Sequence, residues 1–304
     1  MNSYRQLFPD PNPGGEPDGT TYPYTILDVF ASAPLEGNAL AVFPDARGLT
    51  PEEMQRTAKE LNLSETVFLL PPESEGDALL RIFTPWTELP FAGHPALGAA
   101  FVIAVALGTG SVRLETGLGV VPVELTREGS RMTFGLMQQP IPTFEVYERS
   151  TELLAALGLA SSELPIEVYR NGPRHAFVML RSVDEVAALR PDLAALAGHT
   201  GVGTNCFAHA GDHWKTRMFA PSLGVNEDAA TGSAAGPLAV HLARHGLIAF
   251  GDQIKIHQGA ELGRPSVLYA RAVGNAETIE RVEVGGAAVV VAQGSYLVRS
   301  ARGR

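Results

Sequence analysis

Cysteine, clustered positive charge and long apolar runs are scarce in this 304-residue chain, and each scarcity excludes a class of protein. The single cysteine, Cys206, excludes an internal disulfide framework and a zinc site built from cysteines, and we expect it in the core. The net charge is −10 and no Lys/Arg cluster occurs, which argues against nucleic-acid or anionic-membrane partners. The apolar run 95–107 is also too short for a membrane span, which takes about 20 residues.

Signatures of cofactor binding and of secretion are missing as well. Neither GxGxxG nor GxxxxGK[ST] stands where a nucleotide-binding loop requires it, and the histidines show no HExxH or other metal-ligand spacing. We therefore expect no cofactor and no metal. Residues 1–21 are rich in Pro and Gly and lack the apolar stretch of a signal peptide, which predicts a flexible N-terminal extension on a cytoplasmic protein.

The apolar run predicts a buried helix. From Pro95 to Leu107 every residue is apolar or Gly, and a helix that is apolar on every side must be enclosed by other structure. Pro95 suits the first helical position, so His94 is predicted to be the N-cap. On this stretch alone, a plain core helix with a tolerated polar cap is the simpler interpretation.

A second copy of the pattern indicates an internal duplication. The stretch "RIFTP" at 81–85 recurs as "RMFAP" at 217–221, an offset of 217 − 81 = 136. Downstream, "ELPFAGHPALGAAFVIA" aligns with "EDAATGSAAGPLAVHLA" at an offset of 227 − 88 = 139. We infer two halves with one topology, joined by a linker near residues 140–150.

Short strands surround the predicted helix in each half. Runs such as "ALAVF", "ETVFLL" and "HAFVML" are rich in β-branched and aromatic residues and are bounded by turn residues. One surface helix, residues 50–63, begins with a capping box of Thr50 and Glu53. The predicted fold class is α+β, with two pseudo-symmetric halves, residues 22–145 and 146–304. Each half is a curled, mostly antiparallel β-barrel around a central buried helix.

The start of each buried helix is a candidate binding site. The alignment places Gly93 opposite Gly232 and His94 opposite Ser233. Helix N-termini present unpaired N–H groups and partial positive charge, and glycine lets a ligand approach the backbone closely. Two such ends facing each other across a cleft would hold a small carboxylate.

Three side chains near these ends are candidates for proton transfer. Glu65 lies among apolar residues in "NLSETVF", and burial there would raise its pKa. His94 could act as a hydrogen-bond donor or an acid, and Asp228 as a second acid or an amine ligand. Each has a structural alternative: a solvated strand-end carboxylate, an N-cap, and a carboxylate at a helix N-terminus, respectively.

At these residues the sequence resembles the phenazine-biosynthesis isomerase (PhzF) family, which shares the diaminopimelate epimerase fold. The stretches that carry the resemblance cover most of residues 24–297; they are "DVFASAPLEGNALAVF", "NLSETVF", "RIFTPWTELPFAGHP", "NGPRHAFV", "EDAATGSAAGPLAVHLARHG" and "QGAELGRPS". Ala229 stands where the broad family usually has Pro. An Ala at this position is similar to the phenazine-pathway branch of the family. The two cysteines of the epimerase relatives correspond to Gly93 and Thr231 here, which excludes racemisation by two thiols.

The resemblance implies a specific reaction. Family members act without a cofactor on trans-2,3-dihydro-3-hydroxyanthranilate, a small aromatic-like amino acid, and move a proton from C3 to C1. Glu65 matches the proton carrier, and His94, Asp228 and Ser233 match the other site residues. The resemblance also implies a homodimer. A cofactor-independent amino-acid epimerase and a non-catalytic binder of small carboxylates stay open as alternatives.

Overall fold

A computed structural model describes residue 8, residues 20–129 and residues 131–298. The strands of the first half are β1 (Thr20–Val29), β2 (Asn38–Phe43), β3 (Glu65–Leu70), β4 (Ala78–Phe83), β5 (Glu88–Leu89), β6 (Ser111–Thr116), β7 (Gly119–Glu128), β8 (Arg131–Gln139) and β9 (Thr143–Val146). Those of the second half are β10 (Glu167–Arg170), β11 (Arg174–Met179), β12 (Val202–His209), β13 (Trp214–Ala220), β14 (Val225–Asp228), β15 (Gln253–Gln258), β16 (Ser266–Gly274), β17 (Ile279–Gly286) and β18 (Ala288–Val298). The α-helices are α1 (Pro51–Leu61), α2 (Gly93–Leu107), α3 (Ser150–Leu157), α4 (Val183–Ala188), α5 (Leu193–Ala197) and α6 (Gly232–Arg244).

The two halves repeat one set of strand pairings, which confirms the predicted duplication. In the first half β2 and β3 are parallel, β4 is antiparallel to β3 and β5 and parallel to β6, and β6, β7 and β8 form a meander. In the second half β11 to β17 form the same parallel and antiparallel pairings in the same order. The helices α2 and α6 lead into the equivalent strands β6 and β15. The predicted α+β class with curled sheets is therefore confirmed.

Each central helix is enclosed by its own sheet. Helix α2 contacts β1, β2, β3, β6, β7 and β8, and α6 contacts β15, β16 and β17. The first twelve residues of α6 and nearly all of the first twelve of α2 are buried, as the apolar run predicts. None of the helices in the described part of the chain is long and apolar enough to cross a lipid bilayer.

The halves are joined by exchanged end strands. β8 and β17 pair with each other, β9 pairs with β10 of the second half, and β18 pairs with β1 of the first. The predicted boundary at 145/146 falls inside β9, so part of the expected linker at 140–150 is a paired strand. Most of the predicted extension, residues 1–21, lies outside the described residues. Of it, the structure describes Phe8, which is buried, and Thr20 and Thr21, which begin β1.

The two predicted helix starts have different outcomes. At α1 the Thr50 hydroxyl accepts from the Glu53 N–H and the Glu53 carboxylate accepts from the Thr50 N–H, so the capping box is confirmed. At α2 the predicted His94 N-cap is wrong, because the helix begins at Gly93 and Ala92 is the N-cap. The His94 side chain points instead toward Glu65, and no side chain caps this end.

The N-termini of α2 and α6 touch each other. A Cβ atom added to Gly93 would lie 2.5 Å from the carbonyl carbon of Gly232 and 2.5 Å from the amide nitrogen of Ser233. A Cβ atom on Gly232 would lie 3.0 Å from the amide nitrogen of His94 and 3.0 Å from the Phe30 ring. Gly93 is therefore needed for contact between the helices and a side chain at Gly232 would be crowded, whereas the sequence suggested only room for a ligand.

Substitution of Gly93 by Ala should lower the free energy of unfolding by about 1–3 kcal/mol, because the new methyl group meets backbone that cannot rotate away. Gly110→Ala is a matched control, since its Cβ atom would lie 3.4 Å from the Leu125 carbonyl oxygen, an ordinary contact. Chemical denaturation of both variants measures the difference. Equal stability of the two variants would contradict the contact between the helix ends.

Candidate active site

The meeting helix ends form the floor of a cavity between the halves. The cavity has a volume of about 590 Å³ and is lined by residues of both halves, among them Glu65, Gly93, His94, Asp228 and Ser233. Gly232 lines it as well, so all six residues singled out from the sequence share one cavity. The N–H groups of a first helical turn have no partner within their own helix. Two such turns open into this space and favour a negatively charged ligand.

Glu65 and His94 face each other in the cavity wall. Glu65 is the first residue of β3 and His94 is the second residue of α2. The Oε2 atom of Glu65 and the Nε2 atom of His94 lie 3.4 Å apart, and neither atom has a hydrogen-bond partner, although both are buried. A buried polar atom without a hydrogen-bond partner lowers the stability of the fold. Both atoms are therefore available to bond to a substrate.

Burial sets the charge of both groups. It raises the pKa of Glu65 well above its usual range, and the nearby negative charge of Asp228 adds to this shift. Burial lowers the pKa of His94 to about 3, so the imidazole is neutral at physiological pH. A neutral imidazole can donate one hydrogen bond to the carboxylate without forming an ion pair. Glu65 therefore holds a proton more tightly than a solvated carboxyl group does, which suits a group that takes and returns a proton.

Asp228 ends β14 and is held by residues from both halves. Asn38 Nδ2 donates to Asp228 Oδ1 at 2.8 Å, and Thr231 Oγ1 donates to Asp228 Oδ2 at 2.7 Å. Gln258 Nε2 donates to the Asp228 carbonyl at 2.9 Å and to Thr231 Oγ1 at 2.9 Å. Burial raises the pKa of Asp228 to about 6, against these side-chain hydrogen bonds, which lower it. The fixed carboxylate can accept a further hydrogen bond from a ligand amine.

Helix α6 contains a proline near its start. Pro237 has no N–H, so the carbonyl of Ser233, four residues earlier, loses its helical partner. Asn171 Nδ2 donates to this carbonyl at 2.9 Å, and Gln139 Nε2 donates to the Gly232 carbonyl at 2.8 Å. The missing N–H of Pro237 explains the freed Ser233 carbonyl, and these two amide side chains satisfy the backbone of the turn.

Several polar residues around the site were missed by sequence reasoning. Asn38, Asn171, His175 and Gln258 are all buried and bond to the site residues or their backbone. Asn38 lies 190 positions from its partner Asp228, and His175 lies 58 positions from Ser233. Contacts at such separations leave no local pattern. One signal was available: all four residues lie in stretches that carry the family resemblance, namely "DVFASAPLEGNALAVF", "NGPRHAFV" and "QGAELGRPS".

Within the described residues, one group has the geometry of a metal site, and the prediction that the histidines show no metal-ligand spacing overlooked it. Glu167, His241 and His245 bring ligand atoms within 4.8 Å of one another, with the histidines four positions apart on α6. The Arg244 guanidinium donates to Glu167 Oε2 at 2.7 Å, and the Tyr169 hydroxyl donates to the same oxygen at 2.8 Å. An arginine therefore occupies the position where a cation would balance the carboxylate.

Glu65→Gln should raise the melting temperature of the protein more at high pH than at low pH. Folded Glu65 keeps its proton at pH values where the unfolded side chain, with a pKa of 4.5, has lost it. The wild type therefore loses stability as pH rises from about 4.5 toward the raised folded-state pKa, and the neutral glutamine does not.

Melting curves of wild type and variant between about pH 4 and pH 9 measure this effect. The two melting temperatures should converge at the acidic end, which serves as an internal control. A difference that stays constant across the range would show that Glu65 is not a buried carboxyl with a raised pKa.

Comparison with solved structures supports the fold. A phenazine biosynthesis protein of the PhzF family from Bacillus anthracis superposes with a TM-score of 0.80 and 25% identity, covering 92% of this chain and 100% of that one. A hydroxyproline epimerase from Agrobacterium vitis superposes with a TM-score of 0.65 and 13% identity, covering 92% of this chain and 93% of that one. The second likeness concerns the fold alone.

Comparison of sequences defines the family. A trans-2,3-dihydro-3-hydroxyanthranilate isomerase from Pseudomonas aeruginosa is 55% identical over 275 residues, which are 90% of this chain and 99% of that protein. The enzyme of the same name from Pseudomonas fluorescens is 53% identical over 90% of this chain and 99% of that protein. The family model described as "Phenazine biosynthesis-like protein" matches residues 27–294. The chain therefore belongs to the phenazine-biosynthesis-like PhzC/PhzF family.

Proposed function

We propose that this protein is an isomerase of trans-2,3-dihydro-3-hydroxyanthranilate that moves a proton from C3 to C1 in phenazine biosynthesis. The observation that carries the proposal is the unpartnered Glu65 Oε2 atom in the wall of the cavity, beside the two helix ends. The identity of 55% with an enzyme of this name, over nearly its whole length, supports the choice of substrate.

The substrate carboxylate lies at the meeting helix ends. The first-turn N–H groups of Gly93, His94, Gly232 and Ser233 are candidates to donate to it, since such groups lack intrahelical partners. A helix end contributes about 0.3–1 kcal/mol to an exposed anion and up to about 2 kcal/mol to a partly buried one. Two ends together orient a small acid, and Asp228 accepts from its amino group.

Glu65 carries the proton between the two carbons. As a carboxylate it takes the proton from C3, the ring double bonds shift, and the same carboxyl returns a proton to C1. One C–H bond breaks and one forms, so the step needs no oxidant or reductant. The enol that results then ketonises. The neutral His94 donates to the Glu65 carboxylate during the step, because its Nε2 atom already faces Oε2 at 3.4 Å.

The alternative of a two-thiol epimerase is not favoured. Gly93 and Thr231 stand at the heads of α2 and α6, where such an enzyme needs cysteines. The only cysteine in the sequence, Cys206, is buried in the core, as predicted, and burial raises the pKa of its thiol. A site in which one acid–base group serves two carbons of the same ring fits a proton shift better than racemisation.

Three further properties belong to the proposal. The enzyme acts without a cofactor, as a homodimer and in the cytoplasm. The family resemblance supports the first two, and the third stays a prediction. The solution mass of the protein tests dimerisation independently of activity.

Glu65→Gln should reduce turnover of trans-2,3-dihydro-3-hydroxyanthranilate by at least about 10²- to 10⁴-fold, the usual contribution of a placed acid–base group. Affinity for 3-hydroxyanthranilate, which resembles the substrate, should stay close to that of wild type, because the amide keeps the shape of the side chain. Loss of substrate absorbance measures turnover, and calorimetry measures binding.

The matched control is Glu128→Gln, at the exposed end of β7, which should turn over substrate like wild type. Turnover by Glu65→Gln within a few-fold of wild type would refute the role of Glu65. Failure of the wild type to consume the substrate would refute the proposed function as a whole.

A further inference from the structure

His175 is a buried polar residue of the cavity wall to which the reaction above gives no role. It lies on β11, is 1% exposed, and lines the same cavity as Ser233. Its Nε2 atom lies 3.0 Å from Ser233 Oγ, and its Nδ1 atom lies 3.4 Å from Asn205 Nδ2. Asn205, on β12, is buried as well. The three side chains form a row that ends at the ligand cavity.

The chemistry of this row fixes the direction of its hydrogen bonds. Burial lowers the pKa of His175 to about 4, so the ring is neutral at physiological pH and has one N–H and one acceptor nitrogen. Asn205 places an amide N–H against Nδ1, which makes Nδ1 the acceptor. The proton therefore resides on Nε2, and Nε2 donates to Ser233 Oγ.

This direction determines what Ser233 offers to a ligand. With one lone pair of its oxygen engaged by His175, the Ser233 hydroxyl proton is free to point into the cavity. Its backbone is held at the same time, since Asn171 donates to the Ser233 carbonyl at 2.9 Å. A free hydroxyl proton suits a carboxylate, which only accepts, and not an ammonium group, which only donates.

We propose that His175 is a positioning residue: as the Nε2–H tautomer it orients the Ser233 hydroxyl to donate to the substrate carboxylate. The inference rests on the proposed function for the identity of that ligand. The duplication gives this inference a comparison between the two halves. His94 and Ser233 occupy matching places in α2 and α6, yet the first imidazole comes from the helix itself and the second from a neighbouring strand.

The tautomer can be measured directly. Nitrogen-15 NMR of the histidine ring in wild type should give Nδ1 the shift of an acceptor nitrogen and Nε2 that of a protonated one. In Asn205→Asp a carboxylate faces Nδ1, so the proton should move to Nδ1 and Ser233 should donate to His175 instead. A protonated Nδ1 in wild type would overturn the inference, whether or not any substrate is turned over.

A double-mutant cycle tests the consequence for the ligand. Ser233→Ala and His175→Leu should each weaken binding of 3-hydroxyanthranilate by about 10- to 100-fold, the usual loss when a hydrogen bond to a charged group is removed. In the Ser233→Ala background His175→Leu should add little, because it acts through the hydroxyl. His175→Gln, which can present an N–H near the Nε2 position, should recover much of the affinity and of kcat/KM.

The outcomes separate this inference from the proposed function. Additive losses in the cycle would show that His175 acts on the fold and not through Ser233, and would overturn the inference. Thermal melting identifies any variant that has lost the fold. If a variant has lost it, the tautomer measurement on wild type still tests the inference. If wild type binds the ligand by this pattern but does not consume the dihydro compound, the proposed function fails and the positioning role stands.

Discussion

The contact between two helix N-termini is the constraint on which the rest of the structure depends. Gly93 and Gly232 bring the backbones of α2 and α6 together so closely that a side chain has no room at Gly93 and is crowded at Gly232. Two partial positive charges placed side by side repel each other unless negative charge lies near them. Asp228 supplies part of that charge, and the cavity leaves a place for an anionic ligand. The contact between the helix ends therefore determines both how the two halves meet and where an anion binds.

The second constraint is that two carboxyl groups share this buried place. Glu65 and Asp228 both have raised pKa values through burial, but their surroundings differ. Asp228 accepts hydrogen bonds from Asn38 and Thr231, which favour its charged form. Glu65 has an oxygen without a partner and faces a neutral imidazole. Two carboxyl groups with different surroundings can take different roles, one fixed as an acceptor and one mobile in its proton.

These groups lower the stability of the fold, and the enclosing sheets offset that loss. Buried polar atoms without partners cost free energy, and so does a carboxyl group that is largely removed from water. The surrounding core is extensive: the first twelve residues of α2 are nearly all buried, the helix contacts β1, β2, β3, β6, β7 and β8, and the exchanged strands β9 and β18 tie the halves together. A rigid double barrel can hold such a site in a fixed geometry.

The sequence predicted those features that have a local or periodic cause. The uniform apolar run predicted a helix inside a curled sheet, and the 136- and 139-residue offsets predicted the duplication that places Gly93 against Gly232. It could not predict the exchange of β9 and β18, since strand pairing between distant segments leaves no local pattern. The His94 N-cap was wrong for a related reason, because its true neighbour, Glu65, lies far away in the chain.

The central claim is that the paired helix ends hold a carboxylate beside Glu65, and a crystal structure with bound 3-hydroxyanthranilate tests it most directly. The account predicts the carboxylate between the N-termini of α2 and α6, about 3 Å from backbone N–H groups of residues 93–94 or 232–233. It also predicts the ring in contact with the Glu65 carboxyl group. A carboxylate bound outside the cavity between the halves, or held only by arginine side chains, would contradict it.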